Sequence, residues 1–197
     1  EIKNNIENKT LIFYTNGLLG SRKSQTYSNF NDFMYNLSYW SSWSNGFNIW
    51  KSEFDKIDKN LKLNKLFPHT SLFLTQHQAK LFCINDNLLF DVQRIPKRGG
   101  HNKFEAFTIE YPSLLDECCK KGHISTKCKK HILFGIMVQF LPSLLFNKYI
   151  IRIETFDDTG FRDNLKKYYP SYAYWLVLIS VLGVPFRLFC RKLKNKR

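Results

Sequence analysis

Little in this sequence points to catalysis. No serine lies in a nucleophile elbow and no Cys/His arrangement follows a protease pattern. Asp157 and Asp158 are adjacent, which suits a capped turn better than divided acid and base roles, and His69, His77 and His101 have no partner at a telling spacing. A non-enzyme is therefore expected. The five cysteines, Cys83, Cys118, Cys119, Cys128 and Cys190, are too few and too irregular for a disulfide framework. The first thirty residues lack the basic, apolar and small-residue order of a signal peptide, and Glu1 is not an initiator Met, which suits a processed product or an excised segment. No internal repeat is expected.

Acidic residues are also scarce. Sixteen Asp and Glu stand against thirty Lys and Arg, a formal charge of +14, so an anionic partner is expected: nucleic acid, an anionic lipid surface or an acidic protein. The abundance of Phe, Lys, Asn, Ile and Tyr matches the usage of an AT-rich genome, which raises the lysine count without any nucleic-acid partner. What is plentiful is aromatic: 18 Phe, 10 Tyr and 4 Trp argue for a folded body rather than general disorder.

The fold class expected is α+β, a small antiparallel sheet with flanking helices and a C-terminal membrane-seated helix. Its parts are a body over 1–167, with 1–30 irregular apart from a short strand at Leu11–Tyr14, a membrane segment over 168–191 and a basic tail over 192–197. From Asn31 to Ile57 the spacing of Phe33, Leu37, Trp40, Trp50, Phe54 and Ile57 predicts two short amphipathic helices broken at Asn45 and Gly46. Ser71–Leu74, Lys80–Ile84, Leu88–Ile95 and Lys103–Tyr111 read as an antiparallel meander, with turns at Asn85–Asn87 and Pro96–His101 and a fifth strand at Tyr149–Thr155.

Two uncharged apolar runs follow. Ile132–Phe146, about 15 residues, falls short of the roughly 20 that a bilayer core requires, so a buried or interfacial helix is expected there. The run from Pro170 to Cys190 is long enough if Arg187 snorkels to the interface, with Pro185 disturbing only its last turn. Tyr168, Tyr169, Tyr172, Tyr174 and Trp175 crowd one end, where amphipathic rings favour the headgroup region. Arg187, Arg191 and Lys192 begin a cationic cluster at the other. A core helix with a solvated basic end is the alternative, but it does not need that gradient. The positive-inside bias puts the tail in the cytoplasm or an equivalent compartment, although removing the six cationic residues from Arg187 onward still leaves the rest at +8.

Gly160, Phe161, Arg162 and Asp163, then Tyr169, Pro170, Ala173, Tyr174 and Trp175, then Leu182 to Leu188 with Pro185 and Arg187, resemble the transmembrane protein 151 family. There a short charged stretch leads through a Pro/Tyr segment into a helix closed by a Pro, apolar, Arg, apolar motif. The resemblance covers about the last 30 residues and implies a multi-pass membrane protein with no established activity, whose earlier spanning helices have no counterpart in this chain.

Cys118, His123 and Cys128 read C-x4-H-x4-C, like the second part of a zinc knuckle whose first ligand position is Leu115 here. His131 is the candidate fourth donor for a tetrahedral zinc site. The other readings are a disulfide within the cluster and ordinary thiols on a basic loop, and no further cofactor is expected. Lys120, Lys121, Lys127, Lys129 and Lys130 surround the cluster, and beside an apolar helix such a stretch is drawn to anionic headgroups. The function expected is that of a membrane-anchored structural or interaction protein, with the lipid bilayer and other membrane protein subunits as partners. The alternative is a basic RNA-associated protein, such as an organellar ribosomal component with a zinc-knuckle-like site.

Overall fold

A computed structural model of the chain describes residues 9–44, 46–89 and 102–194, the side chains of 191–194 excepted. Two compact units emerge: Glu1–Arg94 with Leu114–Ile132, and Ile95–Ser113 with Leu133–Arg197. The expected body over 1–167 contributes to both.

The first unit is α+β. Strands β1 (Leu11–Tyr14), β2 (Ser24–Tyr27) and β3 (Phe82–Asn85) form a sheet in the order β1-β3-β2. β3 runs parallel to β1 and antiparallel to β2, so the sheet is mixed and the antiparallel meander is corrected. A parallel neighbour requires a crossover connection, and here that connection is residues 15–81. Only β1 and β3 fall where strands were expected, and β2 lies within the stretch 1–30 that was expected to be irregular apart from β1.

Helix α1 (Phe30–Leu37) starts where the Asn29 side chain accepts the Asp32 amide, and it buries Phe30, Phe33, Met34 and Leu37 at helical spacing on one face. These rings join Phe13, Phe73 and Phe82 in an aromatic core, with Phe33 stacked on Phe82 at 5.2 Å and Phe13 edge-on to Phe73 at 5.5 Å. The chain returns over β1 at Gly46, where a Cβ would lie 2.1 Å from a Phe13 ring carbon. No side chain fits there. The second expected helix is the single turn α2 (Lys51–Phe54). Ser71–Leu74, expected as a strand, lies in helix α3 (Pro68–Leu74), because Pro68 in the first turn supplies a helical φ where no amide is needed.

Asp86, expected merely as a turn residue, is fully buried. Its carboxylate accepts from Thr15 Oγ1 at 2.5 Å and from the amides of Ser21, Arg22 and Leu19 at 2.7, 3.0 and 3.1 Å. Burial alone would raise its pKa, but these donors outweigh that and hold it below the ordinary carboxylate value.

Helices dominate the second unit, and two of them begin or end in the first. Helix α4 covers 103–120 with a π turn at Ala106–Glu110. Helix α5 is Thr126–Ile151, with π turns at Ile136–Phe140 and Phe146–Ile151. Helices α6 (Phe161–Tyr168), α7 (Ala173–Val181) and α8 (Val184–Lys194) follow. Lys103–Tyr111 is thus helix, not strand: Phe104, Thr108, Tyr111 and Leu115 recur at helical spacing and all are buried. Tyr149–Thr155 is likewise not a strand, since α5 runs to Ile151 and stops at Arg152, which takes a left-handed conformation at φ 59. Leu88 and Leu89 lie outside any strand, and the rest of Leu88–Ile95, with the Pro96–His101 turn, lies outside the described residues.

Candidate membrane-seating surface

Both long helices carry the tetrapeptide Pro-Ser-Leu-Leu, at 112–115 and at 142–145, each one residue after a π turn. The match is four residues long. Its physical basis is the proline. A proline lacks the amide that would close a helical bond, and its ring crowds the carbonyl four residues back, so the turn before it widens.

The carbonyls released by each proline are met from elsewhere in the second unit. In α4 the Tyr111 amide bonds back to Ala106 O in π fashion, and Pro112 has no amide to offer the next carbonyl, Phe107 O. Tyr169 fills that place, its hydroxyl donating to Phe107 O at 2.6 Å. In α5 Pro142 cannot offer the amide that an α-helix would place on Val138 O. The Arg187 guanidinium donates to Val138 O through Nη1, and through Nη2 to Ser180 O at 3.3 Å. Arg187, expected to reach outward to an interface, instead turns inward onto two carbonyls of an apolar helix pair.

The C-terminal apolar run is also not one helix. α7 ends at Val181 and α8 begins at Val184, bent by 53° at the break. Gly183 lies in the break, and Pro185 falls in the first turn of α8, where its missing amide costs nothing. The proline therefore opens a second helix rather than disturbing the end of the first. α7 packs against the 136–145 stretch of α5, with Ala173 and Val177 buried.

Helix α5 is long and apolar enough to cross a membrane: it has 26 residues, and its most apolar 18-residue window has a mean hydropathy of 1.4 and is only 39% buried. At 1.5 Å per residue it reaches about 39 Å, somewhat less through its π turns, against a hydrocarbon core of about 30 Å. Ile132–Phe146 was expected to be too short, but α5 extends it by a turn and a half at each end. Large apolar side chains stand exposed along the same unit: Phe134 at 51%, Trp175 at 59%, Ile179 at 65%, Phe186 at 71% and Leu182 at 81%. Single exposed apolar residues are ordinary on a soluble protein, whereas this many large ones on one unit suit a surface that something apolar covers.

The expected anchor residues divide. Tyr172 and Trp175 are exposed, Tyr174 packs on Trp175 at 5.4 Å, Tyr168 is half-buried, and Tyr169 is buried at its bond to Phe107. Arg191 and Lys192 continue α8, and their side chains lie outside the described residues.

In the first unit, the lysine and cysteine cluster surrounds the turn between α4 and α5. Lys120 and Lys129 both pair with Asp116, at 2.9 and 2.7 Å, and Lys121 pairs with Glu117 at 2.6 Å, which reduces the positive field by two charges. Lys127 and Lys130 are exposed. The candidate metal ligands have other partners. His123 stacks on His77 with centroids 3.5 Å apart, and His131 stacks on Tyr35 at 3.9 Å. The Cys128 thiol donates to Asn31 O at 3.6 Å. Cys118 and Cys128 are both buried, and burial pushes the Cys118 thiol up to about 12, unlike a metal-binding thiolate. Among the described residues no three His, Cys, Asp or Glu converge on a metal position, and none of the five cysteines forms a disulfide.

These contacts clamp the start of α5 to α1 and to the Thr75–Gln78 turn. Burial, with the fields of His77 and Lys121, lowers the pKa of His123. Its folded-state value lies below the unfolded value of about 6.5, so the clamp is at full strength above that pH and weakens as pH falls toward the folded value. Asp86 responds later: its folded value is depressed, so its contribution is lost only as pH falls below the ordinary carboxylate range. We expect the urea midpoint of the first unit to drop between pH 7.5 and 5. His123→Phe, which keeps the ring stack on His77 and removes the proton, should flatten part of that drop, and an unchanged profile in this variant would contradict the clamp. A scan against protein-family models and searches of curated proteins and of solved structures gave no match to this chain.

Proposed function

We propose that this is a membrane-anchored structural or interaction protein, seated in the bilayer by α5 and the bent pair α7–α8. The observation that carries the reading is the exposed apolar surface of the second unit. Fully burying one such side chain is worth roughly 1.5–3 kcal/mol, so half-covering about ten of them in hydrocarbon stabilises the seated state by on the order of 10 kcal/mol. The resemblance to the transmembrane protein 151 family falls on the same stretch.

Charge supports a hairpin arrangement. If α5 crosses in one direction and α7–α8 return, the lysines at the start of α5 and the basic tail share one face of the bilayer, and 152–172 lies on the other. That connecting stretch has four cationic and four acidic residues, whereas Lys120–Lys130 and the tail are both strongly basic. The positive-inside rule then places both basic clusters on the cytoplasmic or equivalent side. The basic character of the rest of the chain no longer conflicts with the tail.

Trp175 reports the seating directly. In vesicles of brominated phospholipid, a fraction of the tryptophan emission should be quenched, and Trp175→Phe should remove that fraction while leaving the emission of Trp40, Trp43 and Trp50. Equal quenching in the two proteins would contradict the reading.

A further inference from the structure

A cleft of about 710 Å³ opens in the first unit, lined by none of the exposed apolar residues of the second. That volume falls in the range of small-molecule sites, which combine apolar walls with a few placed polar groups. Trp50, Ile57 and Leu61 line it beside Leu11 of β1. The indole is fixed edgewise, because its Nε1 donates to Thr10 O at 2.9 Å, so the ring keeps one orientation as a wall.

The rim carries three lysines. Glu53 holds Lys9 at 3.1 Å and Lys56 at 2.9 Å, which places two ammonium groups around one carboxylate. Lys80 stands exposed on another part of the rim, where Gln76 and Gln78 add amide donors. With Glu53 and Asp58 counted against three lysines, the lining retains one net positive charge. Such a rim rejects a cation and leaves a neutral apolar molecule without a partner for its polar groups.

We infer that this cleft binds a small anion built on a flat ring, an aryl phosphate or aryl carboxylate, with the ring between Trp50 and the Ile57/Leu61 side chains and the anionic group among Lys9, Lys56 and Lys80. Glu53 holds two of the lysines in place until the anion shares them. The site needs neither the bilayer nor the helices that enter it, so it stands or falls apart from the membrane reading.

The test is a titration of the full chain in lipid nanodiscs with 2-naphthyl phosphate, followed by calorimetry against empty nanodiscs. One saturable site is expected, with 2-naphthol and inorganic phosphate each binding at least about tenfold more weakly, since each keeps only half of the recognition. Lys80→Ala, at an exposed position, should weaken binding roughly three- to tenfold. Leu61→Trp should fill the cleft and abolish binding while the urea midpoint of the first unit stays unchanged. Absence of saturable binding at millimolar probe, naphthol binding as tightly as its phosphate, or unaltered affinity in a folded Leu61→Trp protein would overturn the assignment.

Discussion

Replacing Ile179 and Leu182 by aspartate should shift the protein from floating with liposomes to remaining in the aqueous fraction. Both side chains are among the most exposed apolar groups in the second unit, at 65% and 81%, so neither is needed for its internal packing. In a water-soluble protein, substitutions at such positions change stability by no more than about 0.5 kcal/mol and would pass unnoticed. In a bilayer each carboxylate costs roughly 2.5–3.5 kcal/mol near the middle of a helix, beyond the apolar transfer energy that is lost. One substitution should therefore lower the membrane partition coefficient by about a hundredfold, and the pair by more. Unchanged flotation of the double variant, with normal folding, would mean that this surface faces water.

The second large effect concerns Arg187. Arg187→Gln withdraws a charged donor from Val138 O and Ser180 O, and hydrogen bonds from charged groups are worth about 1.5–3 kcal/mol each, more when the acceptor is left unmet in apolar surroundings. We expect a loss of about 3 kcal/mol in the stability of the second unit, read from thermal unfolding in nanodiscs. Arg187→Lys should recover part of that loss, because a point charge reaches one carbonyl but lacks the fork that reaches two. The partner in this effect is Pro142. Pro142→Ala supplies an amide for Val138 O, so the cost of losing Arg187 should be smaller in that background. A double-mutant cycle showing strict additivity would contradict the coupling.

Several elements were legible because their physics is local. The Phe30, Phe33, Leu37 stripe of α1 follows helical spacing, and Leu11–Tyr14 alternates buried and half-buried positions as a strand does. The apolar gradient from Tyr168 to Lys194 marked the stretch that forms α7 and α8 but not its bend, because the apolar run continues unbroken across Gly183. Lys103–Tyr111 was misread for a similar reason. Its bulky residues satisfy a period of two as well as one near 3.6, and only by extending the window to Leu115 does the helical stripe Phe104, Thr108, Tyr111, Leu115 separate the two. The length of α5 was underestimated because Lys127 to His131 and Asn147 to Ile151 are polar or β-branched, yet remain helical where tertiary packing favours it.

Other features have no local signal. β3 finds β1 across residues 15–81, and Asp86 collects donors more than sixty residues away in sequence, so neither the mixed sheet nor the buried carboxylate follows from any window of sequence. His123 was singled out for its spacing to Cys118 and Cys128, but its partner, His77, comes from an unrelated stretch. Arg187 was read by its distance from a helix end, and its acceptors became apparent only once α7 lay on α5. The recurrence of Pro-Ser-Leu-Leu was present in the sequence throughout. Its meaning depends on knowing that both copies fall within helices, where a proline leaves a carbonyl for Tyr169 or Arg187 to meet.

The central claim is that the second unit resides in the bilayer. Alkaline carbonate extraction of membranes carrying the full chain tests it most directly, because it strips proteins held only by charge. The protein should remain in the membrane pellet, and be released only by detergent. Recovery of the intact chain in the carbonate supernatant would contradict a spanning α5.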